Sequence, residues 1–358
     1  MMDGGQAPIR TPWPEPPAPG AAMEVAEGVL WLRLPLPMAL DHVNIYALDE
    51  GCGWTIVDAG LDTPECRDAW RAALAGPLAG KPITRVLLTH FHPDHVGLAG
   101  WFMAEHGAAL WTTRTSWLLA RMLILDEHPR PQPETLAFWR AGGMPAAELE
   151  RRATSRPFNF ADIAAPLPLG FHRIAEGEVI AAGGRRWRVR MGEGHAPEMA
   201  TLWSLDDNLV LGADQLLQRI SPNIGVHASE PRADPLAEWF ESSARLAAFA
   251  REDHLVLPGH DLPYTGLPAR MAQLIENHHG ALARLRAHLA EPRTAWECFE
   301  VLFRREVSEG TMMLALAEAV AHLNYLHHRG EVARERRADG ADLWRMADEG
   351  DGAAERAG

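Results

Sequence analysis

Thr89-His90-Phe91-His92-Pro93-Asp94-His95 lies between the apolar run Val86-Leu87-Leu88 and the run Val96-Gly97-Leu98-Ala99-Gly100. The stretch therefore reads as the end of a buried strand, a tight loop and the start of a helix. Three imidazoles and a carboxylate within six positions are hard to explain by packing. Neutral imidazole and carboxylate suit Zn²⁺, Fe or Mn²⁺, and a sharp loop can aim them at one point. In an extended or looped run His90 and His92 project to the same side. Asp94 and His95, one turn further on, can face a neighbouring point, as two adjacent ions require. The alternative is a solvated, His-rich surface turn.

The composition frames this motif. The chain has 358 residues, 47% of them hydrophobic, which is enough for one large or two ordinary globular domains. Its formal net charge of −14 argues against a surface built mainly to hold nucleic acid or anionic lipid. Basic residues are almost all arginine, with Lys81 the single lysine. Cys52, Cys66 and Cys298 are widely spaced and form neither a zinc knuckle nor a disulfide framework. No basic start followed by an apolar run opens the sequence, and no stretch is long enough to span a bilayer. The expectation is a cytoplasmic protein that does not engage a membrane.

Residues 1–22 are crowded with Pro, Gly and Ala, and read as a disordered arm that Trp13 could pin to the surface. Strands are expected at 29–34, 43–48 and 54–57, with a hairpin turn around 49–53. A helix follows over 64–74, with Thr63 as N-cap and Pro64 in its first turn. Next come a strand at 83–88, a helix over about 96–106 and a strand at 108–112. Later strands are expected at 179–180, 186–191, 200–204, 208–211 and 255–257. Strands alternating with helices imply a layered α/β domain. The Pro-punctuated segment 115–171 reads as a helical insertion, either a lid or a dimer contact, with ordinary core as the alternative. Beyond His260 a long helix is expected over 267–289, then a capping box at Thr294 and Glu297 opening another helix. A further helix carries Leu316, Val320 and Leu323 on one face. A hairpin with its turn at Asp339-Gly340 then precedes a flexible tail over 348–358.

His90-x-His92-x-Asp94-His95 resembles the signature of the metallo-β-lactamase superfamily. Gly194-His195, Gly212-Ala213-Asp214 and Pro258-Gly259-His260 follow in the same order, and Ile56-Val57-Asp58-Ala59-Gly60 resembles the strand end that buttresses the metal loop. The resemblance spans roughly residues 24 to 267. It implies a four-layered αββα sandwich over 23–267, followed by a C-terminal helical domain over 268–347. That domain is similar to the winged-helix tail of β-lactamase-like endoribonucleases.

Carried over by position, the pattern makes His90, His92 and His195 ligands of one ion and Asp94, His95 and His260 ligands of a second, with Asp214 bridging. Asp94 and Asp58 are the candidate catalytic carboxylates, Asp58 and Thr89 acting by fixing the loop or a ligand tautomer. Two divalent ions per chain are implied, most naturally Zn²⁺, with Fe or Mn open. A metal-bound hydroxide would cleave a small ester, thioester or lactone. Tyr264 and His227 are carried as tentative substrate contacts, although either could be an ordinary packing or surface residue, like His278, His279, His327 and His328.

The metal motif is similar to that of glyoxalase II-type members, with one departure. Glyoxalase II-type members carry a second histidine four residues after the one matching His195, and Met199 stands there. Three alternatives stay open. One is a metal-dependent ribonuclease or phosphodiesterase using the tail, although residues 268–347 hold eleven Arg against eleven Asp plus Glu. Arg334, Arg336 and Arg337 do cluster on the expected wing. Another is a mono-iron persulfide dioxygenase-like oxidoreductase. In the third, the tail is a homodimer or docking module. The expected partner is a small-molecule substrate, with nucleic acid disfavoured.

Overall fold

The computed structural model describes residues 8–304 and 306–348. Seven strands form one sheet in sequence order: β1 (Met23–Ala26), β2 (Val29–Pro35), β3 (His42–Asp49), β4 (Trp54–Val57), β5 (Ile83–Leu87), β6 (Ala109–Thr112) and β7 (His172–Arg173). The first four are antiparallel, and β4 through β7 run parallel. A second sheet has the order β12-β11-β10-β9-β8, built from β8 (Val179–Ala182), β9 (Arg185–Gly192), β10 (Met199–Ser204), β11 (Leu209–Ala213) and β12 (Leu255–Pro258). Only β11 and β12 are parallel there. The short strands β1 and β7 carry too few residues for their periodicity to show in the sequence.

The helices, in chain order, are α1 (Pro64–Ala75), α2 (Pro93–Val96), α3 (Ala99–His106), α4 (Arg114–Leu125), α5 (Pro133–Ala141), α6 (Ala146–Thr154), α7 (Pro235–Ala247), α8 (Leu267–His288), α9 (Phe299–Phe303) and α10 (Met312–His328). Strands β13 (Val332–Arg336) and β14 (Asp342–Met346) pair antiparallel as the expected C-terminal hairpin. No helix among the described residues is long and apolar enough to cross a membrane.

The layers follow from side-chain alternation. Successive strand residues point to opposite faces, so a strand apolar on both faces feeds two cores. In β2, Trp31 joins one apolar cluster while Leu32 and Leu34 join another. In β3, Val43, Ile45 and Ala47 go one way and Tyr46 and Leu48 the other. The cluster holding Trp31, Tyr46 and Leu48 also contains Trp187, Val189, Leu202, Leu209 and Leu211, so it is the seam between the sheets. The other face of the first sheet packs on Trp70, Phe102 and Ala120 of α1, α3 and α4. On the far face of the second, Trp203, Val210 and Val256 pack with Leu246 of α7 and Leu267 and Met271 of α8. This is the expected αββα order.

The helix expected over 96–106 is broken. A Cβ on Gly97 would lie 2.5 Å from the Gly60 carbonyl oxygen and 2.8 Å from the Asp62 amide nitrogen, so only glycine lets these segments touch. Leu98 donates its amide to the Gly60 carbonyl there, and α2 ends where α3 has yet to begin.

The chain divides into two compact units. Among the described residues, the first comprises 8–127, 158–222 and 242–272; the second comprises 128–157, 223–241, 273–304 and 306–348. This revises the boundaries read from sequence. The stretch 115–171 is no single insertion: α4 belongs to the first unit, whereas α5 and α6 belong to the second. Phe138, Trp139 and Leu149 of α5 and α6 pack there with the cluster of Leu316, Leu323 and Trp344. In the same unit, Thr294 and Glu297 form the reciprocal capping pair, with the Thr294 amide donating to Glu297 Oε2 at 2.7 Å.

The arm also needs correction where it is described. Arg10 pairs with Thr265 through two backbone hydrogen bonds, Ile9 packs beside Tyr264 and Leu267, and Trp13 packs on the seam between the sheets. Proline removes amide donors but leaves apolar surface that the core can use. Residues 1–7, and 349–358 of the expected tail, lie outside the described residues.

Candidate metal centre

The cluster forms where parallel strands end. Asp58 follows β4, the 89–95 loop follows β5, Asp214 follows β11 and His260 follows β12, while His195 lies in the turn between β9 and β10. Carboxyl ends of parallel strands are where loops are free to gather side chains. The backbone at Asp58 (φ 64°) and Ala213 (φ 45°) is left-handed, turning each chain sharply as it leaves its sheet.

All seven residues expected from the sequence converge. His92 Nδ1 lies 3.1 Å from His90 Nε2 and 3.0 Å from His195 Nε2. His95 Nε2 is 3.6 Å from Asp94 Oδ2 and 3.5 Å from Asp214 Oδ1. His260 Nε2 is 3.4 Å from Asp94 Oδ2 and 3.2 Å from Asp214 Oδ2, and Asp214 Oδ2 is also 3.4 Å from His195 Nε2. Asp214 thus faces both triplets, His90-His92-His195 and Asp94-His95-His260, each of which could hold an ion.

The rear nitrogens are equally well defined. His260 Nδ1 donates to the His42 carbonyl at 2.8 Å, and His95 Nδ1 donates to Asp58 Oδ2 at 2.8 Å. Thr89 gives its hydroxyl proton to the Asp58 carboxylate, so its oxygen accepts from His90 Nδ1 at 3.0 Å. Three imidazoles are thereby fixed in the tautomer that leaves an Nε2 lone pair facing inward.

Those inward atoms fit a cation. His95 Nε2 and Asp214 Oδ1 are buried and have no hydrogen-bond partner. The separations of 3.0–3.6 Å are close to the roughly 3.3–3.6 Å between ligands held about 2.0–2.2 Å from a tetrahedral ion. Gly259 makes room: a Cβ there would stand 2.1 Å from Asp214 Oδ1 and 3.0 Å from His95 Cε1.

Electrostatics point the same way. Burial opposes charge on His260, yet Asp214 and Asp94 outweigh it and raise the imidazole to about 10. His95 is likewise raised against burial by Asp214, Asp94 and Asp58. Burial would lift Asp94 and Asp214, but His95 and His260 hold both below the ordinary carboxylate range. His90 and His92, with burial and neighbouring imidazoles acting together, are pushed well below the usual histidine value. Two carboxylates enclosed among imidazoles demand positive charge at this spot, as protons or as a metal.

Asp58 touches Thr89 and His95, at the position from which it can fix the loop and the His95 tautomer. The two tentative substrate assignments change. Tyr264 is fully buried, donates its hydroxyl to the Leu216 carbonyl and packs with Trp203 and Val256, so it is core and no substrate contact. His227 is exposed, belongs to the second unit and joins none of the clusters. Met199 is fully buried against Ala196 and Ala213.

Sequence reasoning missed the frame behind His260. Asn44 donates to the carbonyls of Pro258 and Asp261 at 3.0 and 3.1 Å, and Tyr46 donates to Pro258 at 2.9 Å. His42 Nε2 accepts from the Asp261 amide at 2.9 Å, and Arg33 donates to the Asp261 carbonyl at 2.5 Å. The one available signal was Asn44, a polar residue between Val43 and Ile45 in the interior of β3.

Comparison with known proteins agrees with this architecture. The chain is 28% identical over 305 residues to probable metallo-hydrolase YqjP of Bacillus subtilis (strain 168), covering 84% of this chain and 92% of that one. The crystal structure of a beta-lactamase domain protein from Burkholderia ambifaria matches with a TM-score of 0.87 and 36% identity, covering 95% of this chain and 98% of that chain. A metallo-beta-lactamase family protein from Thermus thermophilus matches with a TM-score of 0.75 and 29% identity, over 90% of this chain and all of that one. A model of the metallo-beta-lactamase-like C-terminal domain matches residues 282–347, across helix α10 and the β13–β14 hairpin. Residues 38–260, which carry every side chain of the cluster, match the model of the metallo-beta-lactamase superfamily, and the chain belongs to that superfamily.

Proposed function

We propose that this protein is a binuclear metal-dependent hydrolase of a small ester, thioester or lactone. The carrying observation is that His90, His95 and His260 each spend the rear nitrogen on a protein acceptor and turn the other inward. On this reading His90, His92 and His195 would hold one divalent ion, Asp94, His95 and His260 would hold the other, and Asp214 would serve both. When bound, such ions polarise a carbonyl oxygen and lower the pKa of water, supplying a nucleophile at neutral pH. The N/O donor set accepts Zn²⁺, Fe or Mn.

The chain's own residues divide the remaining work. Asp94 has the more open carboxylate, its side chain 19% exposed against 7% for Asp214, so of the two it is the one within reach of a substrate or water arriving from solvent. Asp58 keeps His95 in the ligating tautomer. Beside the cluster a row of rings reaches the surface: Phe91 contacts His92 at 4.6 Å, Phe160 stacks on Phe91 at 6.3 Å, and exposed Phe158 lies 5.8 Å from Phe160. Such a surface supports an acyl group with apolar character.

A ribonuclease reading, with residues 268–347 as a winged-helix-like tail, has less support. Arg336 pairs with Asp342, Arg337 pairs with Asp339, and Arg334 lies over Trp344, so the arginines of the hairpin are already engaged. The test is a panel of thioesters, lactones and phosphodiesters beside labelled single-stranded RNA. Acyl turnover that needs metal supports the proposal. RNA cleavage with steep salt dependence and no acyl turnover overturns it, as does iron-dependent persulfide oxidation without hydrolysis.

A further inference from the structure

The second unit carries another group of metal-ligating side chains that plays no part in the cluster above. His278 comes from α8, and Glu318 and His322 come from α10, where a spacing of four sets them on one helix face. One ligand atom from each lies within 4.8 Å of the others. We propose that His278, Glu318 and His322 form a structural site for a divalent transition metal such as Zn²⁺, tying α8 to α10.

The geometry favours ligands over a simple imidazole pair. His278 Nδ1 and His322 Nε2 are 3.3 Å apart. That is long for a nitrogen hydrogen bond, whose usual length is about 2.9–3.0 Å. It equals the spacing of about 3.3 Å expected for two imidazoles on one tetrahedral ion. His322 Nδ1 donates to the Glu318 backbone carbonyl at 2.8 Å, which fixes the tautomer and leaves Nε2 as a lone pair toward His278. The same device, rear nitrogen on a carbonyl and front nitrogen inward, holds His260 in the first unit.

His278 is 4% exposed. The ring lies against Trp239 at 4.8 Å and Phe240 at 6.1 Å, so the site is walled by apolar rings. Such walls favour neutral imidazoles, the form that binds metal: burial lowers His278 to about 3 and His322 to about 4. Glu318 supplies the anionic donor and is half-buried, and Asn223 donates to its Oε2 at 2.8 Å. Two imidazoles, one carboxylate and a fourth position for water make a donor set that Zn²⁺ accepts.

The test counts metal in the full-length protein. Protein produced with added Zn²⁺ is desalted and analysed by mass spectrometry for zinc, as wild type, His322→Ala and Glu318→Gln. The expected result is one equivalent less in each variant than in wild type. His92→Ala, which alters the first unit, should lose its zinc independently, and the losses should add in the double variant. Equal zinc in wild type and in folded Glu318→Gln and His322→Ala protein would overturn the proposal. Glu318→Gln keeps size and position, so it decides the matter even where His322→Ala fails to fold. A second readout is the visible absorption of Co²⁺-loaded His92→Ala protein, which should fall when Glu318→Gln is added. An unchanged spectrum would also count against the site.

Discussion

Asp58 Oδ2 lies 2.8 Å from His95 Nδ1, so a carboxylate at the end of one strand sets the proton on an imidazole carried by the loop of the next. The same carboxylate accepts the Thr89 amide at 2.8 Å and the Thr89 hydroxyl. It governs His95 directly and His90 through Thr89. Asp58→Asn keeps the shape but loses the charge. We expect metal affinity to fall about 10–100-fold, the usual cost of losing such an outer partner. Zn²⁺ titration of the variant, with circular dichroism as the control for folding, checks this.

Gly259→Ala should damage the centre more selectively. The added methyl would sit 2.1 Å from Asp214 Oδ1, the carboxylate oxygen that faces His95 Nε2 at 3.5 Å. Metal content and turnover should fall together. Inserting a methylene into a packed site typically costs about 1–3 kcal/mol, so denaturant unfolding should show only a modest loss of stability. Undiminished metal content would show that Asp214 is not needed where it stands.

Chelation should destabilise as well as inactivate. Asp94 and Asp214 are carboxylates largely withdrawn from solvent, whose charge the ions would balance. A bound ion stabilises the folded state by mass action. Scanning calorimetry should therefore give a lower Tm after chelation, restored by added Zn²⁺. A Tm indifferent to metal would argue against occupied sites.

His254 offers a pH test away from the metal. Its ring is buried beside Trp203, its Nδ1 accepts the Arg251 amide at 3.1 Å, and burial lowers it to about 4. The unfolded chain binds a proton near pH 6.5, whereas the folded chain resists until about pH 4. Its contribution is therefore full above pH 6.5 and is lost as pH falls toward 4. His254→Gln should flatten the fall in denaturant midpoint across that window, and an unchanged profile would refute the assignment.

Leu211 tests the seam between the sheets. It is 1% exposed and shares a cluster with Trp31 and Trp187. Leu211→Ala should cost about 2–5 kcal/mol through the lost burial and the cavity left behind. Urea unfolding measures it directly.

The sequence by itself named every member of the cluster, because each stands in the ordered motifs that resemble those of the superfamily. It also determined most strands and the Thr63 cap, whose signals are local. Only the tertiary structure decided what stands behind the cluster. Asn44, Tyr46 and His42 act on residues more than two hundred positions away, a distance no local pattern encodes. It likewise removed Tyr264 from the site, since an aromatic four residues past a ligand can face either way until its neighbours are packed. The same holds for α5 and α6, whose apolar residues promised a covered face without naming the cover. Packing chose the second unit, because burial is non-directional and depends on where the rest of the chain lies.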